Sequence, residues 1–143
     1  AGLGDDKVSG STGNDILFGQ EGLDTVSGGE GYDWIYGGAG RDVITLWDDD
    51  NARDTVMFVS GYSGLTLATM DLVEGFTRGE DKIELRNFGT LTFTSLNFTG
   101  GGKGSAYYDG HFLRIDKDGN GIGEMMVQFS YIDTLSQSDF VII

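Results

Sequence analysis

In the first third of the chain, an aliphatic side chain recurs at every ninth residue from residue 8 onward. These residues are Val8, Leu17, Val26, Ile35 and Ile44. Each is the middle of a three-residue segment, and glycine-rich stretches separate these segments. A three-residue strand points its middle side chain to one face and its two flanking side chains to the other. The pattern therefore predicts short strands with the aliphatic residue inward. Because such a strand is too short to bury a core alone, the units must stack on one another.

The nine-residue spacing is a sequence repeat with three constant columns. Its five units are AGLGDDKVS, GSTGNDILF, GQEGLDTVS, GGEGYDWIY and GGAGRDVIT. The fourth position is always glycine and the sixth is always aspartate. These residues are Gly4, Gly13, Gly22, Gly31 and Gly40, and Asp6, Asp15, Asp24, Asp33 and Asp42. Glycine at fixed turn positions indicates backbone with positive φ, which glycine adopts without steric cost.

Composition and charge restrict the partners of this chain. Its 143 residues include 25 glycines, no proline and no cysteine, so disulfides and thiolate metal sites are excluded. Nine Lys and Arg against 23 Asp and Glu give a formal charge of −14, which argues against nucleic acid and anionic membranes. No stretch approaches the about 20 apolar residues of a membrane span. We therefore expect no nucleic-acid partner and no insertion into a membrane.

The glycine turns combine exposed backbone carbonyls with one carboxylate at a fixed position. Oxygen ligands in a flexible loop suit Ca²⁺ better than Mg²⁺, which demands tighter octahedral geometry. The alternative is that each aspartate only caps its own turn. Five aspartates in register with five glycines favour the calcium interpretation.

The units resemble the nonapeptide GGxGxDxUx of the RTX (repeats-in-toxin) family, a calcium-binding β-helix repeat. This resemblance implies an all-β fold, a right-handed parallel β-roll (β-helix) in which two nonapeptides make one turn and Ca²⁺ lies between stacked turns. Units 18 residues apart would then share an ion, with the turn glycines contributing carbonyls. The implied pairs are Asp6 with Asp24, Asp15 with Asp33, and Asp24 with Asp42.

A fourth pair depends on a degenerate sixth unit at residues 53–58. Asp54 of this unit could face Asp33, although the acidic insertion 48–50 displaces it and strict spacing would place Asn51 there.

The 18-residue period also sorts alternate units onto opposite sheets. The outward side chains of the even units are then Ile16, Phe18, Trp34 and Tyr36. Because exposed apolar clusters are unusual in monomers, we expect the C-terminal half to pack over this face. The alternative is an aromatic platform for a polysaccharide chain.

The nine-residue period is lost after residue 58, where alternating β patterns begin. Predicted strands lie at 71–76, 81–85, 91–96, 106–108, 111–115 and 125–129. We expect residues 1–58 to form the roll and residues 59–143 to form an antiparallel β cap within the same folding unit.

The block DLVEGFTRGEDKIEL and the ending L-x-x-x-D-F-V-I resemble the region after the repeats in serralysin-type proteases, secreted lipases and mannuronan epimerases. This resemblance implies a secreted, extracellular protein whose C-terminus engages a type I secretion apparatus.

Residues 116–121, DKDGNG, reproduce the first half of an EF-hand loop. Asp116, Asp118 and Asn120 take positions 1, 3 and 5, and Glu124 takes position 9, but Val127 stands where the bidentate glutamate belongs. No flanking helices are indicated. The alternatives are an additional calcium site and a hairpin turn with Asx caps, and the missing glutamate favours the turn.

The residues indicate no catalytic site and no bound organic cofactor. His111 is the single histidine, and neither an HExxH nor a GxSxG motif is present.

We predict a non-catalytic calcium-binding C-terminal domain of a longer, type I-secreted protein, which folds on extracellular Ca²⁺ and supports export and stability. Its affinity would lie near the about 10⁻⁴–10⁻³ M of extracellular modules. The alternatives are a polysaccharide-binding accessory module of a secreted epimerase or lyase, and the terminal region of an RTX adhesin.

Overall fold

The computed structural model describes residues 1–47, 51–62, 64, 66, 68–94 and 101–143. These residues form strands and one short 3-10 helix, Gln137–Asp139. The strands are β1 Gly2–Leu3, β2 Lys7–Thr12, β3 Ile16–Glu21, β4 Thr25–Glu30, β5 Trp34–Ala39, β6 Val43–Thr45, β7 Thr55–Val59, β8 Asp71–Glu74, β9 Lys82–Arg86, β10 Leu91–Thr94, β11 Gly104–Tyr108, β12 Phe112–Asp116, β13 Met125–Phe129 and β14 Phe140–Ile142. Within the described ranges, no helix is long and apolar enough to cross a bilayer. The acidic insertion 48–50 and residues 95–96 of one predicted strand lie outside the described residues.

Two sheets form the walls of a roll, and successive repeats alternate between them. The first sheet has the order β1-β3-β5-β7-β9-β14, and every neighbouring pair in it is parallel. In the second sheet, β2, β4, β6, β8 and β13 are parallel. Units 18 residues apart pair residue for residue, since Val8 faces Val26 and Val26 faces Ile44. The predicted parallel β-roll is confirmed.

The parallel stacking does not end where the nine-residue period ends. β8 pairs with β6, placing Val73 opposite Ile44, and β9 pairs with β7, placing Ile83 opposite Val56. We expected antiparallel strands from residue 59 onward, but β8, β9 and β14 all join the roll in parallel. Each of β8 and β9 keeps the aspartate–x–aliphatic end of the repeat, while longer loops replace the glycine turn. The assignment of residues 1–58 to the roll and 59–143 to the cap, within one folding unit, stays a prediction.

The antiparallel part of the molecule is a hairpin layer that continues the second sheet. β11 and β12 are antiparallel, as their sequence predicts, and β12 and β13 are antiparallel as well. β13 then pairs in parallel with β8, so that this layer joins directly onto the roll. The predicted antiparallel cap is therefore present, built from β11 to β13.

One hydrophobic core runs through the roll and into the hairpin layer. The inward aliphatic column is completely buried in its central members, which are Val26, Ile35, Ile44, Val56, Val73 and Ile83, each 0% exposed. Leu113, Ile115 and Phe129 of the hairpin layer belong to the same cluster. Since burying one such side chain contributes about 1.5–3 kcal/mol, most of the stability of the short strands comes from stacking.

Candidate metal centre

The repeat aspartates form two ladders of hydrogen bonds across the stacked turns, one starting at Asp6 and the other at Asp15. The backbone N–H of Asp6 donates to Oδ1 of Asp24 at 2.8 Å, and the N–H of Asp15 donates to Oδ1 of Asp33 at 2.9 Å. The N–H of Asp24 likewise donates to Oδ1 of Asp42 at 3.0 Å. The structure thus brings together the three pairs that the 18-residue spacing predicts.

Three further aspartates extend the two ladders: Asp71 extends the one that starts at Asp6, and Asp54 and Asp81 extend the one that starts at Asp15. Asp54, rather than Asn51, forms the fourth pair, because the N–H of Asp33 donates to Oδ1 of Asp54 at 2.9 Å. The N–H of Asp42 then donates to Asp71 at 2.9 Å, and that of Asp54 donates to Asp81 at 3.0 Å. Sequence reasoning missed the last two rungs, since it followed the nine-residue period. The aspartate two residues before a buried aliphatic residue was the signal that could have found them.

From Asp24 onward, each ladder aspartate accepts its ladder hydrogen bond on Oδ1, whereas Asp6 and Asp15 at the start of the ladders only donate their backbone N–H. The Oδ2 atoms of Asp15, Asp24 and Asp42 are buried and accept no hydrogen bond. Burial raises the pKa of Asp42 above its ordinary value; the hydrogen bond from the Asp24 backbone lowers it, and the negative charge of Asp24 raises it further. A buried carboxylate oxygen without a partner is costly, so these atoms are the natural ligands of a cation.

Backbone carbonyls of the glycine turns lie beside these carboxylates. A methyl group added to Gly22 would overlap the carbonyl oxygen of Gly4, and one added to Gly31 would overlap that of Gly13. Gly40 stands in the same relation to Gly22. Stacked turns can therefore approach this closely only where the fourth position lacks a side chain. The fourth-position carbonyls thus lie between successive turns, and the carbonyls beside Oδ2 of Asp15 and Asp24 are those of Gly28 and Gly37.

The donor set fits Ca²⁺ in kind. It consists of oxygen atoms alone, carboxylate and carbonyl, presented by flexible turns. It contains no imidazole nitrogen or thiolate sulfur, which zinc and copper prefer. The buried oxygens of Asp15, Asp24 and Asp42 supply charge where a cation would be shielded from water.

Comparison with known families agrees with this geometry. Residues 1–33 and 18–52 match the family model described as "RTX calcium-binding nonapeptide repeat (4 copies)". The two matches together span about the first third of the chain, and the segment they cover is called the RTX repeats below. The match stops before Asp54, so the family model covers the glycine turns but not the rungs of the ladders beyond them. A comparison with curated proteins gave no match.

Two solved structures share the fold of the RTX repeats together with the C-terminal half. The AlgE6R3 subunit of a mannuronan C5-epimerase from Azotobacter vinelandii has a TM-score of 0.67 and 24% identity, covering 97% of this chain and 78% of its own. The AlgE6R2 subunit of the same epimerase has a TM-score of 0.55 and 24% identity, covering 92% of this chain and 91% of its own. At this level of identity the similarity shows the fold alone.

The DKDGNG loop, away from the RTX repeats, forms the turn between β12 and β13. Asp116 is fully buried, and its two oxygens accept the backbone N–H groups of Gly119 at 2.7 Å and Gly121 at 2.9 Å. Oxygens of Asp116, Asp118 and Glu124 lie within 4.8 Å of one another. Asn120 donates its amide to Asp118 rather than turning an oxygen toward it. Asx capping of the turn is therefore present, and a calcium ion in this loop stays a prediction.

The aromatic outer face of the RTX roll is covered only at one end. Glu84 and Arg86 of β9 reach Trp34: the indole N–H donates to Glu84 Oε2 at 3.2 Å, and the guanidinium carbon lies 4.8 Å from the ring centre. Ile16 and Phe18 stay 68% and 43% exposed. The expectation that the C-terminal half packs over the whole face is wrong, because β14 extends the edge of this sheet instead of covering it.

The rings of this face contact one another edge to face. Phe18 lies 6.2 Å from Trp34 and 6.3 Å from Tyr36, at interplanar angles of 73° and 84°. Such pairs stabilise one another beyond the area they bury. They do not present a row of parallel ring faces, which a flat platform for a polysaccharide would need.

Proposed function

We propose that this chain is a non-catalytic calcium-binding module that folds on extracellular Ca²⁺ and supports the export and stability of a longer protein. The observation that carries the proposal is the set of buried, unpartnered Oδ2 atoms on Asp15, Asp24 and Asp42, aligned between RTX turns. Those three aspartates, with their partners Asp6 and Asp33 and the fourth-position glycine carbonyls, would hold the ions. Bound Ca²⁺ would supply positive charge between the turns.

The charge of the chain explains why folding would depend on the cation. The formal charge is −14, and closing the ladders brings carboxylates of neighbouring turns together. Three divalent ions supply six positive charges, which offset much of this repulsion. A ligand that binds the folded chain alone stabilises it according to its concentration relative to Kd. Where Ca²⁺ is scarce, the repeats would stay unfolded, which suits passage through a secretion channel.

The decisive experiment is a calcium titration followed by circular dichroism on the whole chain. We expect little strand signal in chelator and a cooperative gain of parallel β structure at sub-millimolar to millimolar Ca²⁺. Asp24→Asn, which keeps the Oδ1 acceptor but removes a charge, should move the midpoint to at least tenfold higher Ca²⁺. Glu30→Gln removes an equal charge from an exposed side chain of the same repeats and should move it far less. A chain that is equally folded in chelator refutes the proposal.

The export role rests on the resemblance of the acidic-then-apolar ending, residues 139–143. The same residues are structural, since Phe140–Ile142 form β14 and pair with β9. Deleting 139–143 should therefore lower both stability and export through a type I apparatus. Val141→Asp separates the two roles. Val141 is 40% exposed, so this variant should keep the fold while it breaks the apolar ending. If Val141→Asp were exported as efficiently as the wild type, the proposal that residues 139–143 act as an export signal would be wrong.

The alternative function is a polysaccharide-binding accessory module, which the two epimerase subunits of similar fold suggest. Its first candidate surface is the outer face around Phe18 and Trp34, where the edge-to-face rings favour packing over sugar stacking. Trp34→Ala tests this surface: lower stability with unchanged glycan binding would exclude it. A third candidate function is the terminal region of an adhesin. Cell-attachment assays on the full-length protein that contains this chain would test it.

A further inference from the structure

Four chain segments meet at one edge of the second sheet, where the roll joins the hairpin layer. Because β6, β8 and β13 are parallel neighbours, the residues that follow them lie at the same edge. Trp47 follows β6, residues 75–78 follow β8, and residues 130–133 follow β13. The turn before β12 reaches this edge too, since Phe129 donates its N–H to the carbonyl of His111 at 3.0 Å.

Tyr131 stands at the centre of this edge in a strained backbone conformation. Its φ is +64°, and its side chain is 89% exposed. The flanking residues are held firmly: the Tyr108 hydroxyl donates to the Ile132 carbonyl at 2.9 Å, and Arg78 donates to Thr134 Oγ1 at 2.9 Å. A positive φ costs a non-glycine residue about 1–2 kcal/mol and persists only where its surroundings impose it. The tyrosine ring is thus presented to solvent by a fixed backbone.

Tyr131 separates two clefts and lies beside a second exposed aromatic ring. One cleft, of about 340 Å³, is lined in part by His111, Gln128 and Ser130, and the other, of about 400 Å³, by Thr77, Arg78 and Thr134. The ring of Trp47, itself 59% exposed, has its centre 6.2 Å from that of Tyr131. Both volumes fall in the range of about 300–1,000 Å³ that small-molecule sites occupy.

The lining of these clefts matches the two-sided chemistry of a sugar ring. A pyranose has an apolar C–H face, which packs on an aromatic ring, and a rim of hydroxyls that both donate and accept hydrogen bonds. Tyr131 lines both clefts and, with the adjoining ring of Trp47, offers the aromatic surface. Polar groups come from Gln128 in one cleft, from Arg78 in the other and from Asp133 in both. A polyanionic chain would be repelled by a protein of formal charge −14. A lipid tail would leave the polar lining unpaired.

We propose that the edge formed by Trp47 and Tyr131, with its two clefts, binds an uncharged oligosaccharide. One sugar unit packs on Tyr131, and its neighbours enter the clefts on either side. This surface contains no ladder aspartate, so the inference does not depend on the calcium assignment. It also lies on the second sheet, apart from the aromatic face of the first.

The test is an NMR titration of the whole chain in calcium-containing buffer. The probes are cellohexaose, xylohexaose and mannohexaose, with hexagalacturonate as the charged comparator. The chain has two tryptophans, so two indole N–H resonances report separately. We expect at least one uncharged hexasaccharide to shift the Trp47 resonance, while that of Trp34, hydrogen-bonded to Glu84, stays in place.

Tyr131→Gly is the matched variant, because glycine removes the ring and relieves the positive φ. We expect an affinity loss of at least tenfold with an unchanged or higher Tm. Tyr32→Ala removes a ring that is 61% exposed in the repeats and should bind as the wild type does. Three results overturn the proposal: no Trp47 shift with any uncharged probe at millimolar concentration, equal binding by Tyr131→Gly, or tighter binding of hexagalacturonate than of every uncharged probe.

Discussion

The backbone N–H of Asp54 donates a hydrogen bond to Oδ1 of Asp81 at 3.0 Å, across 27 residues of sequence. Asp81 is 3% exposed, and its other oxygen accepts the N–H of Thr77 at 2.7 Å. This carboxylate therefore has a hydrogen-bond donor on each oxygen, unlike those of Asp24 and Asp42 in the repeats. The ladder that starts at Asp15 in the repeats therefore ends on a carboxylate whose two oxygens both accept hydrogen bonds from the protein.

Replacing Asp81 by alanine should weaken the fold without removing a calcium ion. The change leaves the N–H of the buried Asp54 without its acceptor, which costs about 1–3 kcal/mol. It also removes the acceptor of the Thr77 N–H, where water can substitute because Thr77 is exposed. Urea unfolding in calcium-containing buffer measures the loss, and calorimetric titration counts the ions. Glu80→Ala, at the neighbouring and partly exposed residue, is the control. A lower calcium stoichiometry in Asp81→Ala would show instead that this rung holds an ion.

Gly31→Ala should be far more damaging than Gly13→Ala, although both residues hold the fourth repeat position. Both have positive φ, +116° and +110°, so each substitution carries a backbone strain of about 1–2 kcal/mol. Only at Gly31 would the new methyl group also overlap a carbonyl, that of Gly13; at Gly13 the space is open. Thermal unfolding with saturating Ca²⁺ should separate the two variants. Equal losses would mean that the close approach of stacked turns does not limit stability.

Asp109 should stabilise the β11–β12 hairpin at neutral pH but not in acid. Partial burial raises its pKa, but hydrogen bonds from Phe112, Arg114 and His111 outweigh this and hold the pKa below its ordinary value. A carboxyl with a depressed pKa in the folded state contributes stability above the unfolded-state pKa, about 4, and loses it as pH falls through the folded value. Asp109→Ala should therefore cost about 1 kcal/mol at pH 7.

The same substitution should cost less near pH 2, well below the unfolded-state pKa of about 4, because protonation of the carboxyl weakens these hydrogen bonds. Denaturant unfolding at the two pH values measures the difference, and NMR titration of the Asp109 carboxyl gives the pKa directly. Asp133→Ala, at an exposed carboxylate nearby, is a control without these hydrogen bonds. A pH-independent cost would contradict the assignment to the charged form.

The paired substitution Asp118→Asn with Glu124→Gln should leave the number of bound calcium ions unchanged. The buried Asp116 already accepts hydrogen bonds from Gly119 and Gly121, which accounts for the turn without an ion. Calorimetric titration of the whole chain provides the count. One ion fewer than in the wild type would establish a calcium site in the DKDGNG loop.

The nine-residue period determined the short stacked strands, and with the two-unit turn that the RTX resemblance implies it also determined the register and the first aspartate pairs. Once two equal units make each turn, stacking can align Val8, Val26 and Ile44 in only one way. Asp6, Asp24 and Asp42 then follow into line, because each sits two residues before the buried aliphatic residue. Local sequence was sufficient here, since one short unit contains both the turn and the strand.

Tertiary structure decided the contacts between segments that are joined by loops of unequal length. Asp54 rather than Asn51 faces Asp33, and Asp71 and Asp81 extend the ladders, because backbone pairing and core burial set the register once the turns vary in length. The meeting of Trp47 with Tyr131 likewise depends on β13 pairing with β8. No local period records such a contact, since long-range strand pairing is chosen by the burial of the whole core rather than by neighbouring residues.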